Sequence, residues 1–187
     1  MTDDGLIRCT WATTELYRDY HDLEWGRPVR DGVALFERMC LEAFQSGLSW
    51  LIILRKRKNF RRAFADFNIE TVAGYTDDDV ARLMSDATIV RNRAKIEATI
   101  ANARAAAALG SSDDLAELLW SFAPPPRPRP TDASEIPSAT PESTAMAREL
   151  KRRGFRFIGP TTAYALMQAS GMVDDHLSTC WVPPLGQ

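Results

Sequence analysis

Four residues of the 187-residue chain have the chemistry of a complete metal-binding set: Cys9 and His21 near one end, His176 and Cys180 near the other. Thiolate sulfur and neutral imidazole nitrogen are the donors zinc prefers. Two of each fill a tetrahedron, the composition of a closed structural site and not of a catalytic site with an open position. The His176-x-x-x-Cys180 spacing predicts both side chains on one face of a helical turn. Spacing alone leaves the alternative of two unrelated Cys/His pairs, because the Cys9–His21 interval is unlike a zinc finger's and nothing in it brings the pairs together. The remaining cysteine, Cys40, falls on an apolar helical stripe and reads as core. Three cysteines exclude a disulfide framework.

Basic clusters offer a second kind of chemistry. Six of the eight residues from Arg55 to Arg62 are Lys or Arg; Arg91, Arg93 and Lys95 form another group, and Lys151, Arg152, Arg153 and Arg156 a third. Each can track phosphates or simply solvate a helix face. The third runs into Phe157-Ile158-Gly159-Pro160-Thr161-Thr162-Ala163, a short apolar-Gly turn ahead of an apolar helix. Such a turn presents backbone N–H groups at a helix N-terminus to a phosphate without much net charge.

Helices must position these groups. From Asp31, a fitting N-cap, Leu35, Phe36, Met39, Cys40, Ala43 and Phe44 recur at helical spacing. After Gly47 come an apolar stretch over 48–54 and a basic amphipathic segment over 55–67. Residues 76–86, 91–109 and 113–122 read as further helices. Residues 124–141 hold seven prolines and predict a surface crossing between two helical parts. Helix resumes at Thr140-Pro141, with Thr as N-cap and Pro at the first position, and ends at Gly154; the last helix follows Pro160 and stops near Gly171. Strand signals are nearly absent, so the predicted class is all-α.

The 45% apolar and 26% charged residues are those of a globular protein, and a net charge of −2 excludes a chain that coats itself in nucleic acid. No apolar run approaches a membrane span. The N-terminus lacks the basic flank and apolar core of a secretion signal, so a cytoplasmic protein with reduced thiols is expected.

The stretch from Ile158 to His176, an Ile-Gly-x-x-Thr-Ala hairpin running on to Val173-Asp174-Asp175-His176, resembles the helix-hairpin-helix of the DNA glycosylase superfamily. Arg8-Cys9-Thr10-Trp11, Tyr20-His21-Asp22-Leu23-Glu24-Trp25-Gly26 and Leu41-Glu42-Ala43-Phe44-Gln45-Ser46-Gly47-Leu48-Ser49-Trp50 resemble the N-terminal motifs of the 3-methyladenine DNA glycosylase I family. Val90-Arg91-Asn92-Arg93-Ala94-Lys95-Ile96, Trp120-Ser121-Phe122 and Ser134-Glu135-Ile136-Pro137 match it in the same order.

The resemblance implies one glycosylase domain over 1–187, with two helical lobes, an active-site cleft between them and a structural zinc held by Cys9, His21, His176 and Cys180. It implies hydrolysis of the N-glycosidic bond of 3-methyladenine in alkylated double-stranded DNA after base flipping, freeing 3-methyladenine and leaving an abasic site; 3-methylguanine is an open second substrate. Tyr20 and Trp50 are the implied base-stacking pair, with Tyr17, Trp25 and Trp11 around them, since electron-rich rings attract a cationic base. Glu42 lies on a polar arc that periodicity alone assigns to the surface; the resemblance makes it the carboxylate that meets the amino edge of the lesion. Gly159, Thr161, Thr162 and Arg153 are implied to grip DNA. Pro160 fills the position of the lysine in lyase-type relatives, which points to a monofunctional, monomeric hydrolase.

Two positions depart from the pattern. Thr88 replaces a usual glycine, predicting a different local turn. Asp174 stands where the family usually has asparagine but the wider superfamily has a catalytic aspartate, so it is a candidate for catalysis or for a structural cap. Glu37, on the apolar arc of its helix, is assigned to the tolerance of negative charge near a helix start.

Overall fold

Short polar side chains decide where most of the helices begin. Asp31 accepts from the Ala34 N–H at 2.7 Å, Asn68 from Thr71 at 2.9 Å, and Asn92 from Lys95 at 3.2 Å. Each occupies one of the amide donors that a helix start leaves unpaired. The computed structural model describes residues 4–184, and among these there is no strand. The helices are α1 (Glu15–Leu23), α2 (Gly32–Gln45), α3 (Trp50–Ala63), α4 (Ile69–Ala73), α5 (Asp77–Ser85), α6 (Arg93–Ala107), α7 (Ser112–Trp120), α8 (Pro141–Arg152) and α9 (Pro160–Ala169). None is long and apolar enough to cross a membrane.

Helix α2 is the hub. It is buried on most of its circumference and packs against α3, α6, α7 and α9, so one apolar core runs from α2 through α9 to Met172 and Val173. Cys40 is fully buried in it, as its stripe predicted. The apolar stretch and the basic segment after Gly47 form one helix, α3. It ends in three successive left-handed residues, Ala65, Asp66 and Phe67, at φ 49°, 51° and 57°. That reversal turns Phe67 back into the core, stacked 5.6 Å from Phe64.

Three segments differ from expectation. Residues 15–23 and 69–73, which no predicted element covered, form α1 and α4. Residues 174–184 are turns and extended chain, so His176 and Cys180 do not share a helical turn; a Cys180 N–H to Leu177 C=O bond of 2.8 Å brings them together instead.

The proline-rich crossing has few backbone donors and is fastened largely by side chains. Arg127 reaches Asp175 at 2.7 Å; Arg129 reaches Asp174 at 2.8 Å and the Val182 carbonyl at 2.6 Å. The chain after α9 turns at Gly171 (φ +68°), where a Cβ would stand 2.6 Å from the backbone of Arg27 and Pro28. The Val29 N–H donates to the Ser170 carbonyl beside it. The N-terminal segment is thereby laid along the end of α9.

Candidate metal centre and base-sized cavity

Cys9, His21, His176 and Cys180, remote in sequence, converge as a buried cluster whose donor atoms lie within 4.8 Å of one another. The Cys180 Sγ lies 3.5 Å from His21 Nε2 and 3.6 Å from His176 Nδ1, and the Cys9 Sγ lies 3.7 Å from His176 Nδ1. A tetrahedron with Zn–S of about 2.3 Å and Zn–N of about 2.0–2.1 Å has S···N edges of about 3.6 Å. The other ring nitrogens are committed: His21 Nδ1 donates to Asp22 Oδ1 at 2.7 Å, and His176 Nε2 to the Trp25 carbonyl at 3.2 Å. Each imidazole therefore turns a lone pair inward, the usual arrangement of a ligand histidine. Asp22 is itself held by Arg8 (2.7–3.0 Å) and by the Trp181 indole N–H (3.1 Å). The Cys180 thiol is drawn far below its ordinary range by the Cys9 thiol and the two imidazoles. Gly26, at φ +73°, makes room for the cluster: a Cβ there would lie 2.9 Å from His176 Nε2.

The cluster forms the back of an aromatic box. Trp25 meets the His176 ring edge-on at 4.7 Å, and Trp11 contacts His21, Trp25 and Tyr17 at 5.2, 5.1 and 5.7 Å. Spacings of three and four residues place Tyr17, Tyr20 and His21 on neighbouring faces of α1, so one short helix supplies both the cluster and the box. The Tyr17 hydroxyl accepts from the Leu51 N–H at 2.9 Å, capping α3 where its own N-cap, Ser49, makes no side-chain bond. The cavity, of about 320 Å³, is lined by all five predicted aromatics together with Glu42, Gln45, Ile136, Ala165 and Gln168. Tyr20 and Trp50 touch directly, 5.5 Å apart and tilted by 50°. A base held between parallel rings needs about 7 Å, twice a carbon contact, so here they are adjoining walls and not two plates.

Glu42 is 7% exposed, although its arc reads as surface. It has no hydrogen-bond partner among the described residues, and burial pushes its carboxyl up to about 8, opposed only by Arg38. The wheel misplaces it because α2 is covered on both sides, by α9 and α3. Glu37 is explained by a partner and not by the helix start: Arg61 of α3 holds its carboxylate at 2.9 and 3.1 Å. Arg57 likewise binds Glu24 through two 2.6 Å bonds, so part of the first basic cluster is neutralised within the protein. Lys95 points inward, donating to the Phe44 and Ser46 carbonyls at the end of α2.

Gly159 caps α9 without a side chain, leaving the first-turn amides at Thr161 and Thr162 uncapped at an exposed edge. Arg153 is paired with Glu149 at 2.6 Å. Asp174 does not line the aromatic cavity: it pairs with Arg129 and accepts from the His176 N–H at 3.3 Å. Thr88 needs no positive φ; its hydroxyl and N–H bond to Asp86. Sequence reasoning passed over Gln45, Gln168 and Asp175. Only the second acid of Val173-Asp174-Asp175-His176 offered a signal, and it was overshadowed by the first.

An unpartnered carboxyl among aromatic walls has the chemistry to meet a flat, cationic, donor-bearing ring. The family comparison agrees: residues 10–183 match the model of the methyladenine glycosylase family, and the chain belongs to it. It is 44% identical over 183 residues to DNA-3-methyladenine glycosylase 1 of Escherichia coli K12, covering 96% of this chain and 98% of that protein. It is 42% identical to the DNA-3-methyladenine glycosylase of Haemophilus influenzae, over 92% of this chain and 96% of that one. A solved 3-methyladenine DNA glycosylase I superposes with a TM-score of 0.91 at 43% identity, over 95% of this chain and all of the other.

The buried carboxyl has a stability cost with a definite sign. With a folded value near 8 against an ordinary 4.5, its penalty is absent below about 4.5, grows as pH rises between the two, and is complete above about 8. Glu42→Gln is therefore expected to raise Tm at pH 8.5, by a gain on the order of a few kcal/mol that vanishes toward pH 4.5. Thermal melts across that range check it; equal Tm values at pH 8.5 would contradict it.

Proposed function

We propose that the cavity receives a 3-methyladenine flipped out of alkylated duplex DNA and that the protein hydrolyses its N-glycosidic bond. The observation that carries this is Glu42, a buried carboxyl with no protein partner, among electron-rich rings. Ionised, it meets the positive charge and the amino donor of the lesion where little water screens them; the aromatic faces attract the same charge. Normal adenine shares the amino donor but is neutral, so it gains neither of the charge attractions. In the reaction a water oxygen bonds the sugar C1′ as the C1′–N9 bond breaks. The bond's electron pair neutralises the departing base, and the proton of the water passes to solvent. The lesion thus needs no acid to leave, and the pocket's contribution is selection and orientation. Pro160 and the inward-facing Lys95 offer no amine for a Schiff base.

We read residues 158–163, with Thr161, Thr162 and Gly159 at the start of α9, as a helix-hairpin-helix grip on the phosphate backbone. The core shared by α2 to α9 supports one domain over the chain. The Cys2His2 cluster is read as a zinc site: the donor set, the S···N spacing and the two committed imidazoles all fit. With four protein ligands the ion supplies cross-linking and no open coordination position. Asp174 is read as structural, joining the crossing to the backbone of a ligand.

Methylated DNA incubated with the protein is expected to yield free 3-methyladenine with no borohydride-trapped adduct. Its kcat/KM should rise with pH toward a plateau above about 8, whereas Glu42→Gln should be at least about tenfold slower and lack that rise. Tight binding to abasic DNA without base release would point instead to a damage-binding module. Metal analysis of untagged protein should give one zinc per chain, with Cys180→Ser losing the metal and more than about 10 °C of Tm; active protein with substoichiometric metal would refute the clamp. Asp174→Asn should keep the single-turnover rate within about twofold, and a loss of a hundredfold would make the carboxylate catalytic.

A further inference from the structure

Beyond Glu42, the cavity wall holds a side-chain amide whose direction is set from behind. Gln168 Nε2 donates to Asp175 Oδ2 at 2.9 Å. The Asp175 side chain is fully buried; it also receives the Tyr164 hydroxyl at 2.5 Å on the same oxygen and the Arg127 guanidinium at 2.7 Å on the other. A carboxylate paired with a guanidinium accepts only, so the amide nitrogen of Gln168 must face it. The Gln168 carbonyl oxygen then has no protein partner, on a residue that lines the cavity. Gln45 repeats the logic, one N–H of its amide going to the Leu48 carbonyl at 3.1 Å. Each amide keeps a second N–H, but the end of each side chain not turned to its acceptor is the carbonyl oxygen, and the Trp50 indole N–H, though unpartnered, is buried away from solvent. The hydroxyls of Tyr17 and Tyr20 turn either way.

We propose that Asp175, braced by Arg127, fixes the amide of Gln168 so that its carbonyl faces the base, making Gln168 a second, uncharged specificity determinant. It accepts from a base with an amino edge and repels one with an oxo group at that edge. The inference rests on the cavity being the base site, as proposed above. Glu42 favours positive charge, whereas Gln168 discriminates by donor against acceptor irrespective of charge. In this scheme Gln168 touches the substrate and Asp175 is a positioning residue that never does. A site with fixed acceptors discriminates strongly because the mismatched partner leaves a buried polar group unpaired.

The test compares two free bases on one skeleton, 3-methyladenine (amino) and 3-methylhypoxanthine (oxo), by quenching of the pocket tryptophans. Wild type is expected to prefer the amino base. Gln168→Met, similar in shape but lacking the acceptor, should weaken 3-methyladenine about tenfold and leave the oxo base unchanged or tighter. Asp175→Asn frees the amide to turn and should narrow the preference from both sides, a shift in ratio that plain loosening of the fold does not produce. Should Asp175→Asn fail to fold, Gln168→Met decides alone, because it leaves the Arg127–Asp175–Tyr164 contacts in place. An unchanged amino-to-oxo ratio in Gln168→Met overturns the inference while wild type still releases 3-methyladenine from DNA. Failure of wild type to release that base would instead defeat the reading of the cavity itself.

Discussion

The convergence of Cys9, His21, His176 and Cys180 is the constraint on which the rest of the site depends. Residues 5–14 and 174–184 have almost no regular structure, and chain of this kind keeps one path only if something outside its own backbone fixes it. The four donors do so at one point. Around it, the Asp22–Arg8 pair and the indole of Trp181 hold the first segment, and Asp174–Arg129 holds the second. Because His21 sits one residue after Tyr20 on α1, and the Trp25 carbonyl holds His176, the cluster also sets the position of the aromatic walls. A loss of cluster geometry is therefore a loss of pocket geometry, although none of the four residues lines the cavity.

Two buried carboxyls, one in the cavity wall and one behind it, divide the energetic burden in opposite ways. Asp175 is buried and given three donors, so it is a stable fixture that imposes direction on its neighbours. Glu42 is buried and given none, so its unmet demand is available to a ligand. Burial without partners is costly, and a protein selected only for stability would place an apolar residue there. The cost is tolerable because α2 is the most deeply packed helix of the fold: Leu35, Phe36, Met39 and Phe44 are fully buried around the same turns. An arrangement of this kind has to be carried by a rigid element, since a mobile one would let Glu42 swing out to water.

Much of this was legible in the sequence, and the failures have physical reasons. Apolar periodicity located α2 and α5–α9 closely, and the two N-caps read from the sequence, Asp31 and Thr140, bond the amides expected of them. Helix α1 was missed because its pattern serves a cavity and a cluster, not a core: Tyr17 and Tyr20 line the cavity, and its buried residues are Tyr20 and His21. The His176–Cys180 spacing suggested a helix, yet four residues of turn close the same distance. Periodicity put Glu42 outside because a wheel assumes one buried side, whereas α2 has several. The family motifs corrected that by linking Glu42 to Tyr20 and Trp50, a juxtaposition no local rule contains. Gln168 carried no signal, because the information in an amide lies in which of its two ends is already taken.

The proline-rich crossing shows the same logic at longer range. Proline removes backbone donors, so the segment cannot join a sheet or helix and would wander over the surface if nothing else held it. Arg127 and Arg129, alternating with Pro126, Pro128 and Pro130, point to successive acids, Asp175 and Asp174. Through Asp175 the first arginine reaches the amide of Gln168 in the cavity wall, and through Asp174 the second reaches the backbone of His176 in the cluster. A stretch that reads as a passive connector thus touches both halves of the site from the outside. Arg127 is 41% exposed on its side chain while its partner is fully buried, so the ion pair behind the Gln168 amide opens directly to solvent.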